Sequence, residues 1–173
     1  MLPEVIKTKY IVANESGITQ LQKLASSLLT ERLTNKVDSK TLNQYIQKHY
    51  NTETIIKDLN DFSNQCLIVY SGETPAGFAF FSDKKKAPHF LERKKIKYLV
   101  HFEVSSMYAN TPVMQVLLEK CINVSKTYDA LWLTEPVDSD RLPYFLSYGF
   151  VKQKPVNHMN GLPVESLILI RNF

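Results

Sequence analysis

Between Lys95 and Lys126 the chain changes period. Ile96 to Val104 reads as an apolar strand, the run breaks at Ser105-Ser106, and a helix restarts at Pro112 and continues to Lys126. A strand that turns directly into a helix N-terminus is a common cradle for an anionic cofactor. The first helical turn has orphan N–H donors and the positive end of the dipole. This turn contains no glycine and no basic residue. Thr111 suits an N-cap and Pro112 a first helical position, so the helix is able to cap itself. Pro112 has no N–H, which leaves Asn110, Thr111, Val113 and Met114 as donors to an anion. An anion cradle and a self-capped helix both remain open at this point.

The elements around that turn fix the class. Residues 5–13 read as a strand, and Ile18, Leu21, Leu24, Ala25 and Leu28 recur at helical spacing from near Gly17. Leu42, Tyr45, Ile46 and Tyr50 stripe a second helix, and Thr52-Glu53-Thr54 opens a third. Cys66–Tyr70 and Ala76–Phe81 form a hairpin about the turn Ser71–Pro75. Residues 82–94 read as a loop. Leu131–Thr134 is a short buried strand, Asp138–Tyr148 a short helix that Pro143 makes irregular at its start, and strands near 150–158 and 164–171 close the chain. The order predicts an α/β domain over 1–173, with a mixed sheet of about six or seven strands flanked by helices.

At 173 residues the chain is long enough for a full core. Its net charge of +4 permits an anionic ligand but lacks the concentrated basic stripe of a nucleic-acid binder. Lys84-Lys85-Lys86 with Arg93-Lys94-Lys95-Lys97 reads as a solvated loop. Cys66 and Cys121 have no metal-ligand spacing and sit in apolar segments, as reduced core residues do. No apolar run approaches the roughly 20 residues of a membrane span, and the N-terminus lacks a signal-peptide core. A cytoplasmic protein that binds neither membrane nor metal is expected.

These residues resemble a GCN5-related N-acetyltransferase. The family pattern is an apolar strand ending in V, then P-x-Y-[RQ]-G-x-G-[IL]-[GA]-x-x-L-L. Val104, Tyr108, Val113 and Leu117-Leu118 match it without a gap, while Ala109 replaces the basic or amide residue and Asn110, Pro112 and Met114 replace the small ones. The segment from His49 to Phe81 and the ending from Asn157 are most similar to the bacterial branch that acetylates polyamines. Gly149-Phe150 matches the end of N-x-x-A-x-x-[FL]-Y-x-x-x-G-F, which puts Asp138 at the N, Tyr144 at the F or L and Phe145 at the Y.

The resemblance implies a protein that moves an acetyl group from acetyl-CoA to a small-molecule amine, such as a polyamine. Phe102, Glu103 and Val104 would pair with the pantetheine arm. Ala109, Asn110, Thr111, Val113 and Met114 would form the phosphate turn, with Asp138 beside the cofactor. Tyr45, His49 and Tyr50 would line the acceptor pocket. Tyr98 falls where the family often has its glutamate base, and Phe145 where it often has its tyrosine acid. Tyr144 would replace that acid only if its helix were rotated by about 100°. Strict alternation puts His101 and Glu103 on the face opposite Tyr98. Trp132 and Thr134 read as core and edge. Many relatives are dimers, so a homodimer is one expectation. With the side chains at the chemical positions changed, a relative that binds coenzyme A without turnover, or a scaffold without cofactor, also fits the sequence.

Overall fold

The computed structural model describes residues 4–84 and 87–173. In chain order the elements are β1 (Ile6–Tyr10), α1 (Glu15–Leu33), α2 (Ser39–His49), α3 (Thr52–Leu59), β2 (Asn64–Ser71), β3 (Thr74–Ser82), β4 (Ile96–Val104), α4 (Pro112–Ser125), β5 (Ala130–Pro136), α5 (Leu142–Ser147), β6 (Val151–Val156) and β7 (Ser166–Asn172). Short 3-10 turns cover His89–Leu91 and Ser106–Tyr108. Four helices start on a polar cap: Asn14, Asp38, Asn51 and Thr111 each accept a hydrogen bond from a first-turn N–H. Helix α5 begins at Leu142 rather than Asp138, with Pro143 in its first turn, where a missing N–H breaks no helical bond.

The strands form one mixed sheet of seven in the order β1-β2-β3-β4-β5-β7-β6. All neighbours are antiparallel except β4 and β5. That parallel pair is short. Ile96, Lys97 and Tyr98 oppose Ala130, Leu131 and Trp132, after which the two strands part into a fork. Helix α4 packs on one face with Leu67, Val69, Phe81, Leu99, Phe102 and Leu169, while α1, α2 and α3 cover the other over Cys66, Ile68, Tyr70 and Phe78.

Two expectations are overturned here. First, the pairing of β3 with β4 jumps from Phe80↔His101 to Phe81↔Leu99, so Val100 is a bulged extra residue. A bulge resets the alternation of a strand. Tyr98, His101 and Glu103 oppose Ser82, Phe80 and Phe78, which share one face, so all three point to the same side. Second, Lys97 is not part of a solvated loop. It is a β4 residue 3% exposed, with Nζ 3.4 Å from Asp83 and 4.7 Å above the Tyr128 ring. Lys85 and Lys86 lie outside the described residues.

Candidate active site

The fork is spanned by charge. Glu103 on β4 and Glu135 on β5 are each 1% exposed. Arg32 of α1 grips Glu103 with two bonds, Nε–Oε2 2.6 Å and Nη2–Oε1 2.5 Å, and its Nη1 lies 3.9 Å from Glu135. Arg141, just before α5, donates from Nε and Nη2 to Glu135 at 2.9 and 2.7 Å. Its Nη1 donates to the Phe102 carbonyl at 2.7 Å. Burial alone would raise the Glu103 carboxyl, but Arg32, His101 with its Nδ1 3.6 Å away, and Arg141 outweigh it and lower its pKa to about 2. The Glu135 carboxyl is likewise held below its ordinary range, burial being outweighed by Arg141 and Arg32.

Beside the open end of the fork lies a cavity of about 700 Å³. Of the residues the sequence singled out, Val104, Ala109, Asn110, Met114, Asp138 and Tyr144 line it. Phe102 and Glu103 flank it, Phe102 with its ring in the α4-side core. Phe145 is fully buried between Phe102 and Phe150, and Tyr144 is the residue of that pair that reaches the cavity. The Tyr144 phenol is pushed up in pKa, first by burial and then by Tyr148 and Glu119, so it stays protonated at neutral pH. Asp138 is exposed and held by Lys36 at 2.6 Å.

The turn into α4 satisfies most of its own donors. Ser106 N donates to the Glu31 carboxylate at 2.7 Å, Tyr108 N to Ser105 O, Ala109 N to Ser106 O and Thr111 N to Tyr108 O. The Thr111 hydroxyl donates to Tyr108 O at 2.7 Å and accepts from Val113 N at 3.3 Å. Thr111 and Val113 therefore cap and pack the helix and do not line the cavity. Asn110 has φ 58°, at the third position of a turn that Thr111 N closes. Asparagine tolerates this left-handed conformation better than other non-glycine residues. The matched positions Val104, Tyr108, Val113, Leu117 and Leu118 all pack on the α4-side core, which is why that half of the pattern is legible.

On the other side, at the root of the fork, a cavity of about 860 Å³ is lined by Tyr45, Lys48 and His49 of α2, Tyr98 and Trp132 of the paired strands, and residues of the β6–β7 connection. Tyr98 stacks on Trp132 with ring centroids 3.9 Å apart. Its hydroxyl donates to Asn160 Oδ1 and lies 3.3 Å from Thr134 Oγ1. Burial pushes its pKa up to about 12. Asn160 Nδ2 donates to Val100 O at 2.7 Å, so the β6–β7 connection ties down the carbonyl beside the bulge. Tyr50 is not in this cavity. It packs edge-on against Phe78 and lines a smaller space of about 60 Å³ with His101, Tyr45, His49 and Asp58.

Solved structures are similar to this chain over nearly its whole length. A PaiA N-acetyltransferase from Thermoplasma acidophilum in complex with coenzyme A superposes with a TM-score of 0.78 at 11% identity, over 98% of this chain and 99% of that one. The fold is that of the GCN5-related N-acetyltransferases. A GCN5-related N-acetyltransferase from Rhodopseudomonas palustris gives 0.70 at 12% identity, over 100% and 99%. A GNAT family acetyltransferase from Elizabethkingia anophelis with acetyl-CoA bound gives 0.59 at 13% identity, over 97% and 98%. No protein-family model matches the sequence, and no curated protein matches it.

Arg32, Arg141, Glu135 and Asn160 were not read as site residues from the sequence. Arg32 and Arg141 lie far from Glu103 along the chain, and no local spacing marks them as its neighbours.

Proposed function

We propose that this protein is an N-acetyltransferase that receives an acetyl group from acetyl-CoA at the fork and passes it to a small amine in the 860 Å³ cavity. The observation that carries this reading is the fork itself. Two parallel strands part after three paired residues, with one cavity at their open ends and another at their root. Coenzyme A or acetyl-CoA in two structures of the same fold supports the donor.

In the reaction the amine lone pair forms a C–N bond to the thioester carbonyl carbon. The C–S bond breaks with its electron pair on sulfur. Tyr144 lines the donor-side cavity and is protonated at neutral pH, but its hydroxyl is buried with Tyr148 and Glu119 as its electrostatic neighbours, so returning a proton to that thiolate requires the ring to turn toward the cavity. Main-chain pairing with a pantetheine arm needs the Phe102 carbonyl. Arg141 Nη1 already donates to that carbonyl, so a donor at the fork either takes its second lone pair or displaces Arg141.

The acceptor cavity also speaks to the amine. Its described lining holds Lys48, His49 and His158 and no carboxylate. A polyamine would place further cations against this wall, whereas a primary amine on a neutral or anionic, ring-bearing body fits the Tyr98–Trp132 stack.

A second reading is favoured by two contacts: the Arg141 bond to Phe102 O and the Glu31 carboxylate on Ser106 N. The first occupies a carbonyl that the pantetheine arm would use, and the second sets a carboxylate at the turn before α4, as in a protein of this fold that does not bind the donor. Thermal unfolding with millimolar acetyl-CoA separates a chain that binds the donor from one that does not, since a ligand of the native state raises the midpoint, and amine-dependent thiol release separates turnover from binding alone. The enzyme reading predicts a rise, and an unchanged midpoint sinks it.

A further inference from the structure

An ammonium acceptor must lose a proton before it attacks, and the adduct loses another. The two groups nearest the family's base position are poorly suited to take them. The Tyr98 hydroxyl is committed to Asn160 and Thr134, and the Glu103 carboxylate is held ionised by Arg32. A histidine has the intrinsic affinity for the task, and the bulge at Val100 turns His101 to the same face as Tyr98.

His101 is 3% exposed. Its Nε2 lies 2.9 Å from the Tyr45 hydroxyl, and its Nδ1 lies 3.6 Å from Glu103 Oε1. A carboxylate on the Nδ1 side selects the Nδ1–H tautomer and leaves Nε2 to accept from Tyr45. Tyr45 and His49, with ring centroids 4.4 Å apart, line both the acceptor cavity and the 60 Å³ space beside His101. Asp58 of α3 lines that smaller space, which has room for about two waters at roughly 30 Å³ each. Among the described residues, the groups facing His101 include Tyr45 and His49 of α2, Tyr50 just after it, Phe78 of β3, Glu103 with Arg32 of α1 behind it, and Asp58.

We propose that Tyr45, His101 and Glu103 form a proton relay for the acceptor amine. Tyr45 is the member that touches the amine. His101 receives the proton through Tyr45, and Glu103 orients the imidazole and stabilises the imidazolium. The amine proton moves to the Tyr45 oxygen as the Tyr45 O–H proton moves to His101 Nε2. The imidazolium then returns its proton to solvent past Asp58. The relay rests on the acetyltransferase reading.

The test measures kcat, KM and their pH profiles by thiol release for the wild type, Tyr45→Phe, His101→Gln and the double variant. Each single variant lowers kcat by about 100-fold, the low end for a lost proton-transfer group. KM stays within about threefold, and the double variant is no slower than the singles, as for residues acting as a unit. The acidic limb of kcat, which the relay assigns to His101, disappears in His101→Gln. An active wild type whose rate and acidic limb survive both substitutions overturns the relay. A wild type that binds acetyl-CoA yet shows no amine-dependent release instead overturns the acetyltransferase reading. The imidazole ¹⁵N shifts then judge the relay separately. Tyr45→Phe must move the Nε2 resonance of His101 and its titration midpoint, and unchanged values overturn the contact.

Discussion

Arg141 donates from Nη1 to the carbonyl of Phe102 at 2.7 Å, joining the α5 side of the fork to the backbone of β4. The same guanidinium holds the buried Glu135 carboxylate. Among the described residues, its removal leaves that charge with only the Ser139 hydroxyl and the more distant Arg32, 3.9 Å away. Arg141→Met is expected to lower stability by about 3 kcal/mol, within the range for breaking a buried pair. Adding Glu135→Leu should restore most of it, because no carboxylate then remains unpaired. Urea unfolding of the three proteins checks this, and a single variant as stable as the wild type would show that Glu135 does not depend on Arg141.

Stability should also fall in acid. Glu103 has a folded pKa lowered to about 2 from an ordinary 4.5, through Arg32, His101 and Arg141 acting against burial. A depressed carboxylate contributes its full stability above the unfolded pKa and loses it as pH falls toward the folded one. The loss therefore runs from about pH 4.5 down to about 2, and Glu135 acts in the same direction. Urea midpoints between pH 7 and pH 3 should drop steeply in the wild type. In Arg32→Met/Glu103→Leu the slope should be shallower, and an equal slope would locate the acid sensitivity elsewhere.

The turn before α4 offers a backbone test. Asn110 sits at φ 58°. Asn110→Gly keeps that conformation without strain, whereas Asn110→Ala forces an ordinary side chain into it at about 1 kcal/mol. Chemical denaturation should rank glycine at or above the wild type and alanine below both. Alanine equal to glycine would mean that the turn relaxes to another conformation.

Gly77 is needed for a different reason. A Cβ there would lie 2.5 Å from the Glu103 carbonyl and 3.0 Å from a Val104 methyl. Gly77→Ala should therefore push the end of β4 outward, destabilise the chain by about 1–3 kcal/mol and weaken acetyl-CoA binding in calorimetry. Unchanged binding and stability would show that β4 can shift there freely.

Much of this architecture is legible in the sequence because apolar period decides it. Ile96–Val104, the hairpin read about Ser71–Pro75 and the helix from Pro112 follow from local pattern, and Val104, Tyr108 and Leu117-Leu118, the positions that resemble the acetyltransferase pattern, pack on the α4-side core. The bulge at Val100 is invisible to that logic, since an extra residue in a strand leaves its composition unchanged and only the partner strand reveals it. The charged clasp is hidden for another reason: Arg32 and Glu103 are 71 residues apart, with α2, α3, β2 and β3 between them, and meet only where α1 packs on the sheet. Likewise the sequence does not show that α5 buries Phe145 in the core while the neighbouring Tyr144 lines the cavity with its hydroxyl buried.

The most direct test of the whole account is thiol release from acetyl-CoA by the wild-type protein, with and without a panel of primary amines. The panel should include spermidine and amines carrying neutral or anionic aromatic bodies. The account predicts amine-dependent release, faster with the aromatic amines than with spermidine. Release no faster than the amine-free rate with every acceptor, from protein that binds acetyl-CoA, would contradict it.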